Sequence, residues 1–223
     1  MTRLSVAITD APRPLDPALL RLAVAALCER DADLAQVVAA HGPPPLWQRR
    51  PGFATLVRII LEQQVSLASA RAIYRRLEDG IGAITAARVS ALSPARLRRH
   101  GVTRQKAGYI HGLARLQQRR ELQLLPLHRA GDDEVREILT AVRGIGGWTA
   151  DIYLLMALRR PDVWPGGDLA LRQSARRVKR LAQLPDDRDL ARLARQWRPW
   201  RSVAARILWH AYLRDGRTRP AGE

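Results

Sequence analysis

Apolar residues recur along this chain at three- and four-residue intervals, and no stretch alternates apolar with polar residues between hairpin turns. That period predicts helices without a sheet, an all-α protein. Asp16-Pro17 reads as an N-cap and a first-turn proline opening a helix through Leu19, Leu22, Ala23, Ala26 and Leu27 to about Asp31. A short helix from Asp33 to Ala40 follows, stopped by Gly42-Pro43-Pro44-Pro45. Phe53, Leu56, Val57, Ile60 and Leu61 predict the next helix, interrupted at Glu62-Gln63-Gln64-Val65-Ser66. Ser66 is placed to cap a helix using Ala70, Ile73, Tyr74 and Leu77. Further helices are predicted from Ser93-Pro94 and after Thr103, through Ala107, Ile110, Leu113 and Leu116. Residues 124–131 read as a loop, and Asp132 or Asp133 as the cap of a helix holding Val135, Ile138, Leu139 and Val142.

That helix runs into Val142-Arg143-Gly144-Ile145-Gly146-Gly147-Trp148-Thr149-Ala150, and apolar spacing resumes at Ile152, Leu155, Met156 and Leu158 until Pro161. Two helices joined through Gly-x-Gly make a hairpin whose backbone amides can approach an anion, because glycine adopts positive φ and carries no obstructing side chain. The second helix adds its amide end and positive dipole there. The same glycines also suit a hairpin that merely packs tightly. Asp168, in Pro165-Gly166-Gly167-Asp168, is placed to cap a helix over 169–181. A helix from Asp187 to Trp197 follows, and Pro199 is expected at the first position of the last, which ends near Asp215-Gly216 ahead of a frayed tail over 217–223.

Charge adds a partner. The chain of 223 residues carries a formal net charge of +17, almost all of it from arginine, since Lys106 and Lys179 are the only lysines. Such a balance favours phosphate-rich partners, although an Ala- and Arg-rich composition also follows from a GC-rich genome. Cys28 is the only cysteine, which excludes an intrachain disulfide and a four-cysteine iron–sulfur cluster. His41, His100, His111, His128 and His210 lack metal-ligand spacing, so no metal site is expected. No apolar run approaches the roughly 20 residues of a membrane span, and residues 1–16 lack a signal core. The expectation is a cytoplasmic, nucleoid-associated monomer that binds no membrane.

Five segments together resemble the helix-hairpin-helix (HhH-GPD) DNA glycosylase superfamily, and within it the 3-methyladenine DNA glycosylase II branch. They are Leu61 to Ser66; Gly101 with Lys106-Ala107 and Tyr109-Ile110; Val142 to Ala150; Pro165 to Asp168; and Trp197 to Ser202. The resemblance implies a two-lobed helical fold, with residues 51–160 as the hairpin lobe and 1–50 plus 161–223 as the other. It places a cleft between them and Asp168 at the junction. The N-terminal β-rich domain of larger members is not expected, because the residues before Phe53 read as helices.

It further implies that Asp168 is catalytic, stabilising positive charge that develops on the deoxyribose. As a plain N-cap, Asp168 would contribute only about 1 kcal/mol. Trp209 is implied as a base-pocket residue with Trp148 and Tyr153 as further walls, Gln64 with Gln63 as the wedge that fills the vacated stack, and Gly144, Ile145, Gly146, Gly147 and Thr149 as the backbone-binding set. Trp197 and Trp200 read as core. Strand-cutting members carry a lysine where this chain has Trp148, so the implied reaction is monofunctional hydrolysis on double-stranded DNA containing damaged bases. No cofactor is required, and a monovalent cation at the hairpin is the one ion entertained. Alkylated purines are the implied substrates, because a cationic base attracts an indole face and weakens its own glycosidic bond. Deaminated or etheno bases stay open, as does a non-catalytic helix-hairpin-helix DNA-binding protein. Arg104, Arg143, Arg172 and Arg201 are unranked phosphate contacts.

Overall fold

The computed structural model describes residues 11–218. Among them lie the helices α1 (Pro17–Arg30), α2 (Ala32–His41), α3 (Phe53–Glu62), α4 (Leu67–Ile81), α5 (Ala86–Ser90), α6 (Pro94–Arg98), α7 (Arg104–Gln118), α8 (Asp132–Thr140), α9 (Gly147–Met156), α10 (Leu169–Val178), α11 (Asp187–Ala194) and α12 (Arg201–Thr218). Short 3-10 turns occur at Leu125–Arg129 and Arg195–Trp197, and the described residues contain no strand. None of the described helices is long and apolar enough to cross a membrane.

The described chain divides into two compact units. Arg49–Leu158 contains α3 to α9, while Pro12–Gln48 and the chain from Arg159 onward contain α1, α2 and α10 to α12. In the first unit α3 packs against α4, α7 and α9. Leu56, Val57, Ile59, Ile60 and Leu61 are all fully buried on the broad apolar face of this helix, with Arg58 on its polar side. Burial of each such side chain stabilises by about 1.5–3 kcal/mol. The buried Glu62 carboxylate receives both terminal nitrogens of Arg49 at 2.9 Å, a two-point pair that satisfies the charge where α3 ends. In the hairpin, Arg136 of α8 donates to Asp151 of α9 at 2.7 Å and to Asp133 at 2.7 Å. Burial alone would lower the Arg136 pKa, but Asp151 outweighs it and the guanidinium is held charged.

In the second unit α12 packs on α10, α2 and α1, with Val203, Ala204, Ala205, Ile207 and Leu208 fully buried. Asp31 caps α2 and accepts from Lys179 Nζ at 2.8 Å and Trp197 Nε1 at 2.8 Å. Burial would raise this carboxyl, yet Lys179, Trp197 and the Leu34 amide together hold it below the usual carboxylate range. Trp197 is core, as its apolar neighbours imply, and its ring lies 5.4 Å from that of Trp164.

Several boundaries differ from the sequence expectation. Asp31, rather than Asp33, opens the second helix, and the five-residue α5, capped by Thr85, was not anticipated. Residues 125–129 form a 3-10 turn inside the expected loop. Gly131 holds the cap position of α8, so Asp132, Asp133 and Glu134 fall in the first turn, where the dipole favours carboxylates. α10 stops at Val178 instead of Leu181. Arg180 turns left-handed (φ 52°), its amide donating to Arg177 and that of Leu181 to Arg176, so the last carbonyls are satisfied without another helical turn. Pro199 follows a cis peptide and precedes α12, which begins at Arg201. The expected tail beyond Thr218 lies outside the described residues.

Candidate active site

Asp168 owes its place to local chemistry that the sequence carries. Gly167 adopts φ 78° just before it, and the Asp168 carboxylate accepts the Leu171 amide at 2.9 Å, capping α10. The same oxygen accepts the indole N–H of Trp209 at 3.2 Å. Two further bonds fix this geometry. Ser174 of α10 donates to the Leu208 carbonyl of α12 at 2.6 Å, beside Trp209. Ser202 of α12 accepts the Val163 amide at 2.9 Å, anchoring the strand of chain that leads to Asp168. Asp168 is half-buried, while Trp209 is 8% exposed. A half-desolvated carboxylate held by two donors is suited to face a developing cation.

Trp209, expected as a base-pocket residue, meets Asp168 through its indole edge, with little of its ring open. An open groove of about 650 Å³, lined among others by Arg176, Arg177, Arg180, Leu184 and Tyr212, shares no residue with this carboxylate site.

In the other unit the hairpin glycines take separate duties. Gly144 adopts φ 92°, and a Cβ there would stand 2.2 Å from the Tyr109 ring, so this glycine is required by the fold. Gly146 and Gly147 are exposed, and a Cβ on either would meet nothing within 4 Å. Gly146 caps α9 without a side-chain hydrogen bond, leaving the opening turn approachable by an anion. Ile145 is 4% exposed, and its amide donates to the Val142 carbonyl at 3.0 Å. The Thr149 side chain is buried and accepts from Gln63 at 2.9 Å. Both side chains are internal and shape the turn, so any contact they make with a strand runs through main-chain atoms.

Gln63 is likewise committed to the fold, donating to the Gly144 carbonyl at 3.0 Å as well as to Thr149. Gln64 is exposed, with a left-handed backbone (φ 55°), so of the two expected wedge residues only Gln64 projects freely. Beside it Val65 and Leu67 are exposed by 40% and 44%, apolar side chains of the kind that enter base steps. In the sequence Val65 stood only inside the interruption of the periodic pattern, and Leu67 was not singled out.

Trp148 is half-buried in the first turn of α9. Tyr153, the other expected wall, is fully buried, and its hydroxyl accepts the Gly52 amide at 3.0 Å. Burial pushes its phenol up to about 12. With its side chain fully enclosed, Tyr153 is a core residue rather than the expected pocket wall. Among the arginines, Arg201 is engaged by Asp162 at 2.8 Å and Arg172 by the Pro185 carbonyl at 2.7 Å, whereas Arg104 and Arg143 are exposed. The described residues contain no group of three His, Cys, Asp or Glu placed to hold a metal ion.

Known proteins are similar to this chain in sequence and fold. The chain is 28% identical over 169 residues to the DNA-3-methyladenine glycosylase of Bacillus subtilis, a match covering 70% of this chain and 56% of that relative's length. Its fold matches the structure of Schizosaccharomyces pombe 3-methyladenine DNA glycosylase (Mag1) in complex with abasic DNA. The TM-score is 0.76 at 25% identity, over 86% of this chain and 95% of that one. It also matches a Bacillus halodurans DNA-3-methyladenine glycosidase, with a TM-score of 0.71 at 30% identity, covering 87% and 91% of the two chains. The model of the HhH-GPD superfamily of base excision DNA repair proteins spans residues 57–199, taking in the Gln63-Gln64 loop, the hairpin and Asp168. The chain belongs to that superfamily.

Proposed function

We propose that the chain is a monofunctional DNA glycosylase that excises alkylated, cationic purines such as 3-methyladenine from double-stranded DNA. The observation that carries this reading is the half-buried carboxylate of Asp168, held at the start of α10 by the Leu171 amide and the Trp209 indole. The named relatives act on the same lesion class.

In the proposed reaction the open turn at Gly146-Gly147 holds a strand phosphate, and the Gln64 loop fills the stack vacated by the flipped nucleotide. The bond between C1′ and the purine nitrogen then breaks. Its electron pair stays on the purine and neutralises the cationic base, while positive charge appears on the sugar. Asp168 stabilises that charge and orients a water, whose oxygen bonds to C1′ and whose proton leaves to solvent. Trp209 keeps the carboxylate aimed. No redox group is needed, and a lone Cys28 cannot ligate a four-cysteine cluster.

With Trp148 in place of an amine, no Schiff base forms at C1′, so the product is an uncut abasic strand. The proposal extends to a monovalent cation held by main-chain carbonyls of the hairpin. The Gly144 carbonyl, which already accepts from Gln63, retains a second lone pair for it. We place the enzyme on the nucleoid as a monomer.

Duplexes bearing single 7-methylguanine, hypoxanthine or ethenoadenine lesions, incubated with the protein and then treated with alkali, test the reading. The alkylated duplex should be cleaved fastest. Covalent trapping of the protein on DNA by borohydride would contradict the monofunctional route.

A further inference from the structure

α3 ends in a way that the cap of a surface loop does not require. The last carbonyls of a helix lack intrahelical donors, and water or a glycine turn ordinarily satisfies them. Here a single ammonium does so: Lys106 Nζ, from the first turn of α7, donates to the Leu61 carbonyl at 2.8 Å and the Gln63 carbonyl at 2.7 Å. Lys106 is half-buried, and desolvation lowers its pKa, so the charge is kept there at a cost.

The residue between α7 and the hairpin is Gln63. Its carbonyl is held by Lys106, and its side chain is held by Gly144 and Thr149 of the turn. Directly after this doubly fixed residue, Gln64 adopts the left-handed conformation and projects outward.

We propose that Lys106 is a positioning residue that, through Gln63, latches the wedge loop to the hairpin, so that the grip on the strand and the filling of the vacated stack act as one rigid device. This rests on the reading of the chain as a base-flipping glycosylase. The latch matters only while a nucleotide must be extracted from a paired duplex. A lesion in single-stranded DNA leaves no stacked gap to fill, so its excision does not depend on where Gln64 points.

The test is base release under single-turnover conditions by the full chain and its Lys106→Met and Lys106→Arg variants. Each acts on 7-methylguanine placed in a duplex and in the same strand left single. Loss of two charge-assisted hydrogen bonds should slow Lys106→Met on the duplex by about tenfold to a hundredfold and leave its single-strand rate unchanged. Lys106→Arg, which retains donors, should recover part of the duplex rate.

Equal losses on both substrates, or no loss on either, would overturn the latch. Circular dichroism establishes that the variants fold. Should Lys106→Met fail to do so, Lys106→Gln, which keeps a donor for one carbonyl, carries the same duplex-selective expectation. A wild-type protein that releases base from neither substrate would instead refute the glycosylase reading.

Discussion

Replacing Asp168 separates its capping role from its proposed electrostatic one, because asparagine and alanine remove different parts of the side chain. In Asp168→Asn the amide oxygen can still accept from Leu171 at 2.9 Å and from Trp209 at 3.2 Å. Asparagine caps helices as well as aspartate, so stability should move by less than about 1 kcal/mol. Asp168→Ala loses the cap, about 1 kcal/mol. It also strands the indole N–H of a side chain only 8% exposed, about 1–3 kcal/mol more. The rate depends on charge instead. A carboxylate about 4 Å from a developing positive charge, at an effective dielectric near 20, contributes about 4 kcal/mol. Losing it should slow base release about a thousandfold.

Urea unfolding followed by circular dichroism, paired with single-turnover base release, measures both. The expected result is an Asn variant as stable as the wild type but disabled, and an Ala variant both weakened and disabled. An Asn variant releasing base within about tenfold of the wild-type rate would refute the electrostatic role. Asp168 would then be only a cap.

Gly144→Ala should destabilise the first unit strongly, because φ is 92° and the Tyr109 ring occupies the space, whereas Gly146→Ala should leave the melting temperature nearly unchanged and weaken duplex binding. Equal affinity for Gly146→Ala and wild type in a fluorescence anisotropy titration would remove that turn from the backbone contact. Tyr153→Phe should cost about 1 kcal/mol by removing the acceptor of the Gly52 amide and should not alter base release. A large fall in rate at unchanged stability would return Tyr153 to the pocket. Asp31 lies below its unfolded value of about 3.9. Its contribution is therefore fully present above that pH and is lost as pH falls through the lower, folded value. Lys179→Met should flatten this acid limb in urea titrations, and an unaltered limb would show that the pair contributes nothing there.

Much of this was legible wherever the signal is local. Asp16, Ser66, Ser93, Thr103 and Asp168 each cap the helix that follows, because a short polar side chain beside an apolar period leaves little other use for it. The pairing of Gly144 with Tyr109 was not legible, since both residues sit in motifs that say nothing of each other's distance. Tyr153 sits beside Thr149 and Ala150 on a helix expected to face DNA, and only packing reveals that its hydroxyl turns inward to Gly52. Lys106 stood out as one of two lysines and within one of the segments that carry the resemblance, with no role attached. Both prove half-buried and committed to internal partners, which leaves the exposed positive charge to arginine. The Trp209 indole bond to Asp168 was not anticipated, because Trp209 was expected only in the base pocket and no spacing encodes the Ser174 and Ser202 bonds that tie α10 and the chain at Val163 to α12.

Chromatography of the free bases released from a dimethylsulfate-treated duplex tests the central claim most directly. The account predicts 3-methyladenine and 7-methylguanine in solution, with the strands intact until alkali is added. A supernatant holding no methylpurine above the protein-free control, from a preparation that still binds the duplex, would contradict it and leave a protein that grips DNA without cutting the glycosidic bond.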